Sequence, residues 1–514
     1  MKGFISLLTT IEVLILKPTL ISHGDYQRFV LEQLRKHYSG NVLTIVNNDW
    51  PIIYKLWITD LSYLTSWLWS SYSKKGPVPR DPASLMRSYL LLLLAKPTLS
   101  ITEWVDELHR VPFYAIMSGF EPGKVPGIGT FYDFFQRLWG REGSNVKPKI
   151  KPKRQKKKKK KPKKGEKASP SSPGIVGKLI NRFFRYSSKK KELPGDRLFE
   201  LFQSQFLKVS ARLGLLGDLD ALGVVGDGTP IETARYPRSK ATCNCSAQGL
   251  TKCNHTRKFS QPDCDSGWDS SRERYFNGYH LYMLSTSDSH YDLPLYPRLQ
   301  PASRHDSVSL VASAIEFSQR TTLGTIGKML LDAAHDAEPI YKLLDHYQIE
   351  PFIDLNVRTK KNFNTDSDIQ ISPEGTPICP MRLKMKPNGF DKSQNRQKWR
   401  CPLACGTKNT CEKPCSKAKY GRTFHTFRKD NLRLFTKTPR TSEKWKLTYK
   451  RRTSVERSNK REKVDYHLES GHHRSTKMWY IRAYAIMMCQ HIDAWNSVQK
   501  EELNLQELIM NKTA

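Results

Sequence analysis

The sequence predicts an α/β core, a mixed sheet flanked by helices and interrupted by an insertion, with an all-α domain in front of it. Three observations carry this prediction. Short apolar runs alternate with helical windows between residues 198 and 357, residues 1–143 carry helical patterning, and the polar, Lys- and Cys-rich stretch 358–439 breaks the alternation before it resumes at 440–514.

In the N-terminal region, "DPASLMRSYLLLLLAKPTLSITEWVDELHRVPFYAIMSGF" has a helix start at Asp81 and Pro82 and a stop at Gly119, and "GIGTFYDFFQRLW" is a further helical stretch ending near Trp139. Residues 144–197 read as a flexible linker. Its "KPKIKPKRQKKKKKKPKK", Lys147 to Lys164, holds 13 basic residues and no acid, and the following "GEKASPSSPG" offers almost nothing apolar to bury. Such a tract serves as a solvated spacer or as a polycation drawn to phosphates by counterion release.

The core begins with "ALGVVGDG", an apolar run that ends in Asp227. "GYHLYMLSTS" and "LPLYPRLQP" read as strands, "DSVSLVASAIEFSQR" as a helix, "IGKMLLDAAHD" as a strand delivering Asp332, "AEPIYKLLDHY" as a helix and "IEPFIDLN" as a last strand. After the insertion, residues 440–470 contain neither Pro nor Gly and read as helical. In "MWYIRAYAIMMCQHIDAW", Ile481, Ala485, Met488, Ile492 and Trp495 recur at helical spacing, which predicts a core helix.

Charge narrows the partner. The 85 Lys and Arg against 49 Asp and Glu give +36, and the chain without its lysine tract still carries about +23. This excess points to a polyanion, either nucleic acid or an acidic membrane surface. No segment reads as a membrane span: "FISLLTTIEVLIL" is short and interrupted by Glu12, and "SYLLLLLA" falls far below the roughly 20 residues a span needs. A soluble, cytoplasmic, nucleoid-associated protein is the expectation.

Two cysteine clusters suggest zinc thiolates before disulfides. Cys401, Cys405, Cys411 and Cys415 follow C-x3-C-x5-C-x3-C, enough for a closed tetrahedral Zn²⁺ site in which Cys379 could replace one ligand; free thiols are the competing reading. Cys243, Cys245 and Cys253 with His255 or Cys264 form a similar group. Trp399 and Trp445 are candidates for stacking on an unpaired base, with simple packing the favoured reading.

Carboxylates at Asp227 and Asp332, each at the end of a predicted strand, converge if those strands are neighbours. A third carboxylate from a crossing helix would complete an oxygen-rich site for one or two Mg²⁺ ions. Glu456 is the candidate. At about 100° per residue, Tyr449, Arg452, Glu456 and Lys463 fall within an arc of roughly 60° on one helix face. The plainer reading of Glu456, in isolation, is a solvated acid paired with nearby cations.

The spacing Tyr449, Arg452, Glu456, Lys463 resembles the Y-R-E-K signature of a group of bacterial insertion-sequence transposases of the DDE superfamily. "GVVGDGTPIE" and "KMLLDAAHDAEPIY" resemble the two aspartate segments of that group, with His335 where Tyr or Phe is usual and Asp336 a rival to Asp332. The Asp81–Trp139 region resembles the helical domain preceding the catalytic core in such enzymes, including its G-x-x-T-F step. The resemblance implies a ribonuclease-H-like catalytic domain, a DNA-binding role for residues 1–143, and two Mg²⁺ ions, with Mn²⁺ as a substitute, held by Asp227, Asp332 and Glu456. It also implies DNA contacts from Tyr449, Arg452 and Lys463, cleavage and strand transfer at the element's own terminal repeats, and a homodimer on DNA. A catalytically inactive, transposase-derived DNA-binding protein and a nuclease without strand transfer are the alternatives.

Overall fold

The computed structural model describes residues 17–38, 44–73, 76–140, 174–186, 190, 192–233, 249, 263–356, 368–405, 411–499 and 505–510. The lysine tract and Cys243, Cys245, Cys253 and His255 lie outside these residues. The chain divides into two compact units, residues 1–142 with 492–514, and residues 143–491.

In the first unit the described N-terminal residues form α1 (His23–Tyr38), α2 (Trp50–Trp57), α3 (Tyr63–Leu68), α4 (Pro82–Ala95), α5 (Ile101–Arg110), α6 (Pro112–Ser118) and α7 (Ile128–Trp139). Asp81 caps α4 by accepting the amides of Ala83 and Ser84, and Pro82 occupies the first turn, where its missing N–H costs nothing. The window up to Gly119 resolves into three helices. Ser100 and Glu103 form a reciprocal capping box that starts α5 after Pro97, and Gly119 ends α6 with a φ of 90°. Every residue of α4 from Pro82 to Leu93 is buried, so this helix is the axis of the unit. Ser88 on it accepts from the Trp104 indole at 3.0 Å, and Tyr89 meets Phe135 edge-on at 4.8 Å.

The second unit opens with α8 (Ile175–Tyr186), α9 (Asp196–Phe202) and α10 (Lys208–Arg212). It continues with β1 (Leu222–Glu232), β2 (Asp265–Asp269), β3 (Arg274–Thr286), β4 (Pro294–Pro301), α11 (Asp306–Arg320), β5 (Ile326–Leu331), α12 (Glu338–His346) and β6 (Glu350–Ile353). The strands form one mixed sheet in the order β2-β3-β1-β5-β6, with β4 also on β3. β3 is antiparallel to β1, β2 and β4, whereas β1, β5 and β6 run parallel. This is the mixed α/β sheet that the alternation of apolar runs and helical windows predicts.

Two departures stand out. β2, "DSGWD", is too short and polar to announce itself as a strand. β1 does not end at Asp227 but continues to Glu232, because the long β3 keeps pairing with it from Val224↔Thr286 to Glu232↔Gly278.

The insertion is folded in its described part. β7 (Gln370–Ile371) pairs with β8 (Pro377–Ile378), and β9 (Lys386–Asp391), β10 (Arg396–Arg400) and β11 (Thr423–Phe427) make a three-stranded antiparallel sheet. Ile369, Cys379, Met385 and Trp399 form one small core, and Ile371, Leu434 and Phe435 another.

Residues 440–470 are not one regular helix. α13 (Glu443–Tyr449) passes through a 3-10 turn at Lys450–Thr453 into α14 (Ser454–Lys460), and a π turn follows at Arg461–Asp465. Arginines tie this segment to the β3–β4 connection. Arg451 Nε donates to the Ser287 carbonyl at 2.7 Å, Arg457 grips Asp292 with two bonds of 2.5 and 2.7 Å, and Arg461 donates to the carbonyls of Tyr291 and Asp292. Arg451, Arg457 and Arg461 are thus anchors. α15 (Thr476–Gln499) follows, and Ile481, Ala485, Met488, Ile492 and Trp495 on it are all buried.

Candidate active site

The β1–β5 register is the geometric origin of the site. Val224 pairs with Met329 and Val225 with Leu330; two residues further along these parallel strands stand Asp227 and Asp332. Both aspartates therefore come to the same end of β5 along adjacent strands, although Asp227 itself lies mid-strand, opposite Met283 of β3.

Their surroundings differ. Asp227 Oδ1 accepts the Gly228 amide at 2.8 Å. Desolvation, followed by the neighbouring Asp306 carboxylate, pushes Asp227 up to about 6, and Asp332 adds to the shift. Asp332 caps a 3-10 turn by accepting the Ala334 amide at 3.1 Å and lies 2.5 Å from His335 Nδ1. Burial acts to raise Asp332, but the hydrogen bond and charge of His335 outweigh it and hold this carboxyl below its ordinary value. His335 is fully buried, and its Nε2 is 2.9 Å from the Tyr282 hydroxyl, so the ring is fixed from both nitrogens.

A further pair stands beside Asp227. Asp306, the first residue of α11, places Oδ1 3.0 Å from His280 Nε2. Burial would raise Asp306, yet hydrogen bonding and charge from His280, with the fields of His335 and His305, bring it below the usual carboxylate value. Gly228 fits between the two: a Cβ there would come within 2.0 Å of His280 and 2.2 Å of Asp306. Sequence reasoning did not single out Asp306 or His280. His280 left a signal, an imidazole inside the apolar run "GYHLYML"; Asp306 left none beyond an acid in a first helical turn.

Helix α14 packs on β1 and β3, and the Ser454 hydroxyl donates to the Thr286 carbonyl at 3.1 Å. This brings Glu456 toward the aspartate end of the sheet. The Arg452 guanidinium, itself in the field of Asp227, donates to Glu456, and the Tyr449 hydroxyl donates to the Leu331 carbonyl at 3.2 Å. Burial, followed by the field of Asp354, raises Tyr449, and Asp332 and Glu456 contribute. Tyr449, Arg452 and Glu456 thus share one neighbourhood with Asp227 and Asp332.

Lys463 does not share it. Its ammonium lies 3.6 Å from Glu469, in the fields of Arg272 and Asp269, and burial lowers it. Glu469 in turn accepts the Glu232 amide, at the far end of β1 from Asp227. The predicted common arc of four residues fails at Lys463 because the π turn at Arg461–Asp465, which contains it, changes the rotation per residue after α14.

Other sequence candidates resolve as structural. The Asp336 side chain is fully buried, takes two bonds of 2.8 and 2.6 Å from Arg433, and accepts from Tyr341 and the Asn356 amide, so it braces the insertion and not the site. Trp399 is buried with its indole donating to Thr426, and Trp445 stacks on Tyr449 with centroids 4.5 Å apart. Both are packing residues, since neither ring offers a free face to a base. Cys379 belongs to an apolar core, Cys401 is buried, Cys411 is half-buried and Cys415 exposed. The Cys405 side chain lies outside the described residues. Among the described residues no three His, Cys, Asp or Glu side chains stand where they could hold a metal ion. That statement covers Asp227, Asp332 and Glu456 and, of the zinc candidates, only Cys264, Cys379, Cys401, Cys411 and Cys415.

The site is thus an acid-rich end of a mixed sheet packed against a basic helix. A family model described as the transposase DDE domain matches residues 219–490, more than half of the chain. The chain belongs to this family and is a DDE transposase, for which DNA is the partner the family implies. No curated protein matches it. Among the described residues no helix is long and apolar enough to cross a membrane.

Proposed function

We propose that this transposase cleaves and joins DNA at the terminal repeats of its own insertion sequence, using a ribonuclease-H-like core and the triad Asp227, Asp332 and Glu456. The observation that carries the reading is the β1–β5 register, which delivers two aspartates side by side to one end of the sheet. The strand order, with β3 antiparallel to β1 and with β5 and β6 parallel to it, supports the ribonuclease-H-like reading.

The donor set suits a hard divalent cation, Mg²⁺ with Mn²⁺ as a substitute. Asp227 receives a backbone amide but, among the described residues, no ion-paired cation, and it sits beside two further carboxylates. Asp227, Asp332 and Glu456 are the residues that would hold two such ions, Glu456 exchanging its Arg452 partner for them. When bound, the ions would lower the pKa of water or of a DNA 3′-hydroxyl and neutralise charge on the leaving oxygen.

The chain's own residues have separable tasks. The buried His335, locked by Tyr282, fixes the Asp332 carboxylate in its ionised form and orientation. Gly228 leaves room for the His280–Asp306 pair, which keeps a second ionised carboxylate beside Asp227. Arg452 and Tyr449 are placed to grip phosphates on one side of the triad, while Lys463 grips DNA at a separate point and belongs to the same Y-R-E-K set. Two ends must be held for joining, so a homodimer on DNA is part of the proposal.

The test is Asp227→Asn on a duplex carrying the terminal repeat. Cleavage disappears while binding in EDTA survives; unchanged cleavage refutes the triad. A chain that binds and never cuts in its wild-type form would instead favour the inactive DNA-binding alternative.

A further inference from the structure

We propose that the helical first unit holds a built site for one phosphate of the DNA backbone, centred on Arg87. The inference rests on the transposase reading only for the identity of the anion.

Arg87 lies in the middle of α4 and is 1% exposed. None of Nε, Nη1 and Nη2 has a hydrogen-bond partner among the described residues. Its close neighbour is the face of the Tyr26 ring, 3.7 Å from the guanidinium carbon, while the Tyr26 hydroxyl is turned away to the Met117 carbonyl at 2.9 Å. A ring face attracts a cation but leaves its N–H donors unused. The two carboxylates whose fields reach Arg87 are committed elsewhere. Asp60 accepts from the amide and hydroxyl of Ser62, and Asp81 from Thr65 and from Ala83 and Ser84 at the start of α4. Burial accordingly lowers Arg87 from its ordinary value against the fields of Tyr26, Asp81 and Asp60.

A buried guanidinium with all its donors unspent is costly and is seldom retained without a partner. The partner's entrance is present. Arg87 forms part of the wall of a cleft of about 270 Å³, which Arg80 and Lys124 also line. Those two residues are exposed at its rim, and the lining holds three cations against the single carboxylate of Glu121, itself 2.6 Å from Lys124. Gly119 keeps the wall beside Arg87 clear: a Cβ there would lie 2.7 Å from Ser84 Oγ and 3.5 Å from Arg87 Nη1. The guanidinium nitrogens themselves are buried, so an oxyanion drawn between Arg80 and Lys124 reaches the planar fork of Arg87 only as the lining side chains shift; the geometry of that fork matches phosphate oxygens.

A chain of +36 in a family that acts on DNA makes the backbone phosphate the anion to expect. The contact positions the duplex and reads no sequence.

The experiment compares full-length wild type, Arg87→Met and Arg87→Lys for binding to duplex DNA in EDTA across a salt series, with thermal unfolding measured in parallel and with inorganic phosphate added. Arg87→Met is expected to weaken binding roughly tenfold and to lower the slope of log K against log salt by about one, equally for unrelated sequences. Its melting temperature should match or exceed that of wild type, because a buried unpaired charge has been removed, and phosphate should protect wild type but not the variant. Where the Met variant does not fold, Arg87→Lys is decisive: reduced DNA affinity at an unchanged melting temperature supports the site, and wild-type affinity overturns it. Unchanged affinity and slope in Arg87→Met overturn the proposal. Protection by phosphate with unchanged DNA binding overturns the DNA assignment in favour of a free anion. Wild type that binds no duplex at all overturns the transposase reading together with this one, whereas loss of cleavage alone in Asp227→Asn leaves it standing.

Discussion

Away from the aspartate end of the sheet, the second unit pairs four shielded acids with guanidiniums. Asp336 is held by Arg433, Asp292 by Arg457, Asp196 by Arg320 and Glu316 by Arg298. At that end of the sheet, among the described residues, Asp227 has the Gly228 amide as its donor and lies in the fields of Asp306, Asp332 and His335 with no ion pair. In a chain with 85 cations to place, leaving the central acid without an ion pair is a distinction between two kinds of site. The first kind is completed by the chain itself. The second, on the proposed reading, is completed by a cation from outside, as a two-metal nuclease requires.

Breaking each kind should give different phenotypes. The largest effect is expected for Asp227→Asn, which should lower terminal-repeat cleavage by more than about 10²-fold, a typical cost of removing one charge-stabilising group, with an unchanged or raised melting temperature. A fall in stability matching the fall in activity would erase the contrast. Arg433→Met should do the reverse, leaving Asp336 charged, buried and unpaired at a cost of about 3–5 kcal/mol of stability by urea titration. The double variant with Asp336→Asn should recover much of this.

Glu462 sharpens the comparison, as a buried acid without an ion pair that lies outside the proposed triad. It takes a 3.3 Å bond from Gln490, and burial raises it from 4.5 to about 8. Between those values the unfolded chain has released a proton that the folded chain keeps. Stability is therefore fullest below about 4.5, falls as pH rises toward 8, and is lowest above it. Glu462→Gln should remove this dependence and stabilise the protein at pH 9 by roughly 2–5 kcal/mol, measured against wild type by urea unfolding. Parallel stability curves from pH 5 to pH 9 would show Glu462 to be uncoupled from folding.

The smallest effect is expected at His335. Replacing it by Phe fills the same space but strips Asp332 and the Tyr282 hydroxyl of a partner. Cleavage should drop about tenfold and stability by about 1–3 kcal/mol, in steady-state cleavage and thermal unfolding assays. Wild-type cleavage would mean that Asp332 needs no orienting group.

Asp227 and Asp332 were legible in the sequence because each is a single acid breaking a run of Val, Leu or Met, a pattern that pairing in a sheet preserves. Asp306 and His280 were not, since 26 positions separate them and only the folding of α11 back against β3 and β1 brings them together. Tyr449, Arg452 and Glu456 follow from helical spacing over one turn or two. Lys463 does not, because the π turn at Arg461 intervenes and helical arithmetic assumes a constant rotation. The strands of the insertion were hidden for a different reason: β9, "KPNGFD", is largely exposed and has no alternating apolar face to recognise.

The central claim is that Asp227, Asp332 and Glu456 together hold the divalent cations, two in number, of one site. Fe²⁺ substituted for Mg²⁺ in the DNA-bound protein, with ascorbate and peroxide, generates radicals that cut the polypeptide beside the bound ion. Three sets of cuts, next to residues 227, 332 and 456, all suppressed by excess Mg²⁺ and absent in Asp227→Asn, are predicted. Cuts confined to other segments, or cuts at 227 and 332 with none near 456 when DNA is bound, would contradict it.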